Sequence, residues 1–188
     1  MTIEKGTEKM VYGRALLGKL HHVKNTRGRK GLDDIFKKMI EEGYRGPSHM
    51  GEIEQNKAYP FEYHLLLLDS FYNLYGKSEF DRMSKKAPMM KSVVGWYIKF
   101  FKKPGVMMEK VGDYWGKFFD FGELEGRLVN KNQGSLTGRG ICTDTHLFCR
   151  SLTGYFVGVC NLIELNTVCK HTSCELEGKK SSEWKLHW

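Results

Sequence analysis

Cys149, His171 and Cys174 are residues whose types and spacing could do chemistry together. A His-x2-Cys step presents an imidazole and a thiol from one turn of chain, and an upstream Cys adds a third donor of the kind that holds Zn2+. The five cysteines are odd in number and crowd between 142 and 174. Such a set reads as reduced thiols or metal ligands, because a disulfide framework spreads its cysteines in pairs. A zinc clamp near the C-terminal end is one expectation. The other is that the thiols pack as small apolar groups, with His171 solvated on a strand face.

Asp144 and His146 sit beside Cys142 and Cys149 and suggest a Cys-His nucleophile, which would require a base positioned to make the thiolate. The chain has no Gly-rich phosphate loop, Gly-x-Ser-x-Gly elbow or His-Glu-x-x-His step. No catalytic residue is assigned, and a non-enzymatic protein is expected.

A second constellation is aromatic. Trp96, Tyr97, Phe100 and Phe101 fall on one expected helix, and Met107, Met108, Val111, Trp115, Phe118 and Phe119 on the next. Aromatic and Met walls can hold an apolar molecule while an indole N–H or a Tyr hydroxyl orients one polar atom, or they can close into solid core. Trp96, Phe100, Trp115, Phe119 and Tyr155 are the candidate ligand-binding residues, with Phe156 beside Tyr155.

The elements that must position these groups follow from periodicity. Residues 7–24 carry Met10, Ala15, Leu16, Leu17 and Leu20 at near-helical spacing, and Gly28 to Gly31 interrupt before a second helical segment ending at Gly43. This pattern predicts an N-terminal helical hairpin. Pro60 suits the first turn of a central helix that Gly76 should stop, and Ser78-x-x-Asp81 has the order of a capping box. Two amphipathic helices flank Pro104. Beyond residue 120 the pattern alternates around NKNQG, returns to helical spacing in RSLTGYFVGVCNLIEL, and alternates again on both sides of Gly178-Lys179-Lys180. The expected class is α+β: N-terminal helices, then an antiparallel sheet built from two β-hairpins with an intervening helix. Residues 1–188 are expected to form one domain, mainly helical over 1–120 and hairpin–helix–hairpin over 121–188.

Composition narrows the function. With 188 residues, 40% of them hydrophobic and 13% aromatic, the chain can bury a core. The apolar run Leu65 to Leu68 is far too short to span a membrane, and MTIEKGTEKM lacks a signal-peptide core, so a cytoplasmic location is expected. A net charge of +8 could serve nucleic acid, but the basic clusters at 19–30, 85–91, 99–103 and 179–180 come with no nucleic-acid motif and read as solvated helix faces.

The segment YPFEYHLLLLDSFYNLYG, the region of Trp115 and the ending TSCELEGKKSSEWKLHW resemble the vinyl-4-reductase-like small-molecule-binding domain. That domain is related to the heme nitric-oxide/oxygen-binding fold and to vesicle-tethering subunits. The resemblance implies a structural zinc held near Cys149, His171 and Cys174, with Ser182 standing where the family has its last Cys. A fourth contact would then be water, Cys169, Cys142 or another side chain. In the heme branch, iron is held by a His on the helix that here reads PGVMMEKVGDYWGKFFDF, which has none, and the Tyr-x-Ser-x-Arg propionate motif is replaced by LFCRSLTGY. Heme held in that manner is therefore not expected. His64, on the apolar central helix, could ligate iron in another geometry or be a hydrogen-bonded core histidine.

These readings together predict a sensor or carrier that binds a small hydrophobic molecule, with zinc at the C-terminal hairpin. The alternative is an interaction or assembly module with a helical docking face, and a heme gas sensor ranks behind both. With no effector domain in view, a homodimer or a protein partner has to carry any signal.

Overall fold

The computed structural model describes residues 8–89, 103–142 and 144–188. A short strand β1 (Met10–Tyr12) pairs antiparallel with β2 (Ala58–Pro60) and leads directly into α1 (Gly13–Glu41). Thus the expected helix over 7–24 begins later than its apolar spacing suggests. Val11 is fully buried, and Tyr12 donates its backbone N–H to the Phe118 carbonyl at 2.8 Å, so tertiary pairing holds this stretch extended.

Helix α1 and the central helix α2 (Phe61–Lys86) each break at one glycine with positive φ, Gly28 at 67° and Gly76 at 75°. A non-Gly side chain is disfavoured there, whereas Gly accepts the conformation freely. The interruption expected at Gly28 is present, so α1 is two helical segments that meet at a kink there, and α2 is likewise two segments that meet at Gly76. Asp81 of the expected capping box lies inside α2 and receives Arg150 Nε and Nη2, each at 2.7 Å. The breaks face each other: Tyr75 donates to the Gly31 carbonyl at 3.4 Å, and Arg27 lies over the Tyr75 ring.

Helix α3 (Pro104–Trp115), with Pro in its first turn, lies on strand β3 (Glu123–Asn130). Strand β4 (Gln133–Arg139) follows, then α4 (His146–Asn161), capped by the Thr145 hydroxyl accepting from Leu147 N–H. Strands β5 (Val168–Ser173) and β6 (Ser182–His187) complete a four-stranded antiparallel sheet of order β3-β4-β6-β5. The class is α+β as expected, with the two hairpins joined along β4 and β6. That register sets Trp184 between Leu136 and His171, so the Trp184 indole, fully buried, becomes the centre of the sheet's inner face. Helix α4 crosses it, with Phe156 edge-on to Trp184 at 5.2 Å, and Gly154 and Gly158 let α4 run against Ser84 and Lys85 of α2.

Tyr155 and Phe156 stand in the middle of α4. One local expectation is corrected. Lys19 and His22, read as part of a solvated basic face, are 6% and 2% exposed because they share the inner face of α1 with Ala15, Leu16 and Val23. Among the described residues, no helix is long and apolar enough to cross a membrane.

Candidate functional site

The helices and the sheet leave a cavity of ≈ 90 Å³ between α1, α2, α3 and α4. Its walls are largely apolar. Trp115, Phe119 and Tyr155 line it together with Met107, Leu124 and Phe148. Trp115 stacks on Phe119 with centroids 4.3 Å apart, and its indole N–H donates to the Phe121 carbonyl at 2.7 Å. Trp96 and Phe100, the other two candidates, lie outside the described residues.

Lys19 and His64 interrupt the apolar wall. His64 is 1% exposed, packed 5.7 Å from the rings of Phe119 and Phe148, and neither ring nitrogen has a hydrogen-bond partner among the described residues. Burial, reinforced by the neighbouring Lys19 charge, holds its pKa well below the usual range, so the ring is neutral. Burial alone brings the Lys19 amine from its ordinary 10.5 down to about 7, and among the described residues no carboxylate pairs with it. Unpaired buried polar groups are rare, and each calls for a cause. Sequence reasoning weighed His64 as a core histidine and missed Lys19. Its position one turn beyond Ala15 on the apolar stripe was the available signal.

The second centre is the corner where the end of β4, the first turn of α4 and β5 meet. Ligand atoms of Cys142, Cys149 and His171 all lie within 4.8 Å of one another, and Cys149 Sγ is 3.8 Å from Cys174 Sγ. A tetrahedral zinc with Zn–S bonds of about 2.3 Å sets its sulfurs about 3.8 Å apart. The His171 ring stacks on Trp184 at 4.8 Å and 17°, and its Nε2 is buried without a partner among the described residues. Of the three predicted donors, Cys149 thus lies beside both His171 and Cys174, and Cys142 joins Cys149 and His171. Cys169 lies next to Cys160 instead.

Glu175 explains the selection of Cys142. Its carboxylate accepts from the backbone N–H groups of Gly140 at 2.6 Å, Ile141 at 3.2 Å and Cys142 at 2.9 Å, and from the Ser182 hydroxyl at 3.3 Å. Ser182 is therefore committed to Glu175 and takes no place among the thiols. The Cys149 thiol is held far above its ordinary pKa, first by its hydrogen bond to Cys142 and then by burial. Burial likewise raises Cys174, and it lowers His171. A protonated, buried Cys149 lacks the thiolate character of a nucleophile.

No family model matches the sequence, and no curated protein sequence matches it. Solved structures do. An Fe(II) unliganded H-NOX protein from K. algicida superposes with a TM-score of 0.63 at 12% identity, covering 94% of this chain and 95% of that one. An H-NOX protein from S. oneidensis in the Fe(II)NO ligation state gives 0.59 at 12% identity over 94% and 98%. A structure titled for modulation of heme redox potential through porphyrin distortion gives 0.64 at 11% identity over 94% and 99%. The chain has the H-NOX fold. The vinyl-4-reductase-like assignment gains no support from these neighbours, whereas its related heme NO/oxygen-binding fold is the one observed.

The expectation against heme stands opposed to neighbours whose titles name Fe(II) and heme, and the residues present test it. A donor exists, because His64 has two unpaired nitrogens. Space does not: pockets for cofactor-sized ligands run from roughly 300 to 1,000 Å³. Arg14, on the cavity wall, is hydrogen-bonded to Asn56, and Arg150, near the place of the propionate motif, is engaged with Asp81. As arranged here, the described residues do not fit heme.

Proposed function

We propose that this chain is a non-enzymatic sensor or carrier module on an H-NOX-like scaffold, taking a small apolar molecule into the cavity between its helices and sheet. The cavity itself carries the reading: ≈ 90 Å³ of space walled by aromatic, Met and Leu side chains, with the buried His64 ring, both nitrogens without a hydrogen-bond partner among the described residues, in that wall. At about 20–30 Å³ per heavy atom or water, that space suits a molecule of about three to five heavy atoms. Trp115, Phe119 and Tyr155 supply the wall, and Tyr155, its phenol kept protonated by burial, supplies a neutral hydroxyl. Short-chain alcohols test this directly. Thermal stability should rise with 1-propanol or 1-butanol at millimolar concentration and not with glycerol. Equal, negligible shifts with all three would end the reading.

The corner of Cys142, Cys149, His171 and Cys174 is proposed to hold structural zinc. Its support is the convergence of three donors, Cys142, Cys149 and His171, within 4.8 Å, with Cys174 3.8 Å from Cys149, and the softness that zinc prefers. Elemental analysis of untagged protein should find about one zinc per chain, and none in Cys149→Ala.

A heme sensor is the second reading, favoured by the unpaired nitrogens of His64 and by the Fe(II) and heme proteins among the structural neighbours. A Soret band after heme reconstitution that disappears in His64→Leu would establish it in place of the first.

A further inference from the structure

Building on the ligand-binding reading of the same cavity, we propose that Lys19 makes the site covalent, capturing short-chain aldehydes or ketones as an imine at its amine. Three observations converge on it. Lys19 lines an apolar cavity, is 6% exposed, and has no carboxylate partner among the described residues. A lysine placed this way is the arrangement that turns an ammonium into a nucleophilic amine, since desolvation disfavours the charged form. Consistently, its pKa falls to about 7. His64, neutral and with both nitrogens unpaired, is the imidazole of the same wall and the close electrostatic neighbour of Lys19.

The chemistry balances without a further reagent. The amine lone pair attacks the carbonyl carbon, the C=O π pair moves to oxygen, and a proton leaves nitrogen as one is delivered to that oxygen. Neutral His64 can accept the first at one nitrogen and return a proton from the other. The resulting carbinolamine loses its hydroxyl with a proton as water, and the nitrogen lone pair closes the C=N bond. Amine and aldehyde become imine and one water, with no change in oxidation state. The alkyl tail lies among Met107, Trp115 and Phe119, and the apolar walls exclude the water that would reverse the step.

Butanal with cyanoborohydride at pH 7 is the probe, read by intact mass and peptide mapping of the full chain. The expected product is one secondary amine on Lys19, formed on the order of a hundredfold faster than on a surface lysine, whose ordinary pKa leaves almost no neutral amine at that pH. Lys19→Met should abolish it, excess 1-butanol should suppress it in the unaltered protein, and His64→Leu should slow it. Labelling spread evenly over surface lysines while 1-butanol still stabilises the protein overturns the covalent step alone. Absence of both labelling and alcohol stabilisation overturns the cavity reading with it.

Discussion

The cavity and the cysteine corner each bury a histidine that the other described residues leave under-satisfied, and they do so in different surroundings. In the corner the donors face one another: Cys142, Cys149 and His171 converge within 4.8 Å, with Cys174 beside Cys149. In the cavity Lys19 and His64 stand among aromatic rings around ≈ 90 Å³ of space. Converging soft donors suit one ion, whereas an amine and an imidazole set in a wall of aromatic rings border space for a molecule.

If this contrast is right, the two regions respond differently to the loss of one side chain. Cys149→Ala should remove zinc and cost about 5 kcal/mol or more, a fall in Tm of roughly 10–20 °C by calorimetry. A strong chelator should do the same to the unaltered protein, and a Tm indifferent to both would erase the distinction.

The cavity should respond in the other direction. The folded chain releases the Lys19 proton near pH 7 and the unfolded chain near 10.5, so unfolding takes up a proton in between and stability rises with pH across that window. Lys19→Met should flatten that rise and, at neutral pH, stabilise the protein by about 3–5 kcal/mol in urea titrations. His64 works on the acid side, since the unfolded ring charges below its ordinary 6.5 while the folded ring stays neutral, so stability falls as pH drops through that value. His64→Leu should remove this fall and add about 1–2 kcal/mol at pH 7 by relieving two unpaired nitrogens. As a control outside both regions, Arg150→Ala breaks a half-exposed ion pair with Asp81 and should cost under about 1 kcal/mol.

How much of this could be read from the sequence follows the range of the interactions involved. The helix breaks at Gly28 and Gly76, the turn at NKNQG and the strands about Gly178 are local, and glycine placement with alternating apolarity marks them. The β1 strand was misread because its extended state depends on Phe118 and Ala58–Pro60, far along the chain. Cys149, His171 and Cys174 could be proposed from type and spacing. Cys142 could not be chosen over Cys169, because the choice is made by Glu175, some 33 residues away from it. Lys19 was hidden by its company: a run of basic residues reads as solvated until the face each one occupies is known.

The carboxylate of Glu175 also has a bearing on time. It gathers Gly140, Ile141 and Cys142 from the end of the first hairpin and Ser182 from β6, so the corner cannot close until β6 has been made. During synthesis Cys142 and Cys149 therefore leave the ribosome well before the strand that completes their corner, and the closure of long loops comes late in any folding order. The interval between the first thiol and the last strand is the period in which this protein is most open to oxidation and mispairing, and an ion bound early would shorten it.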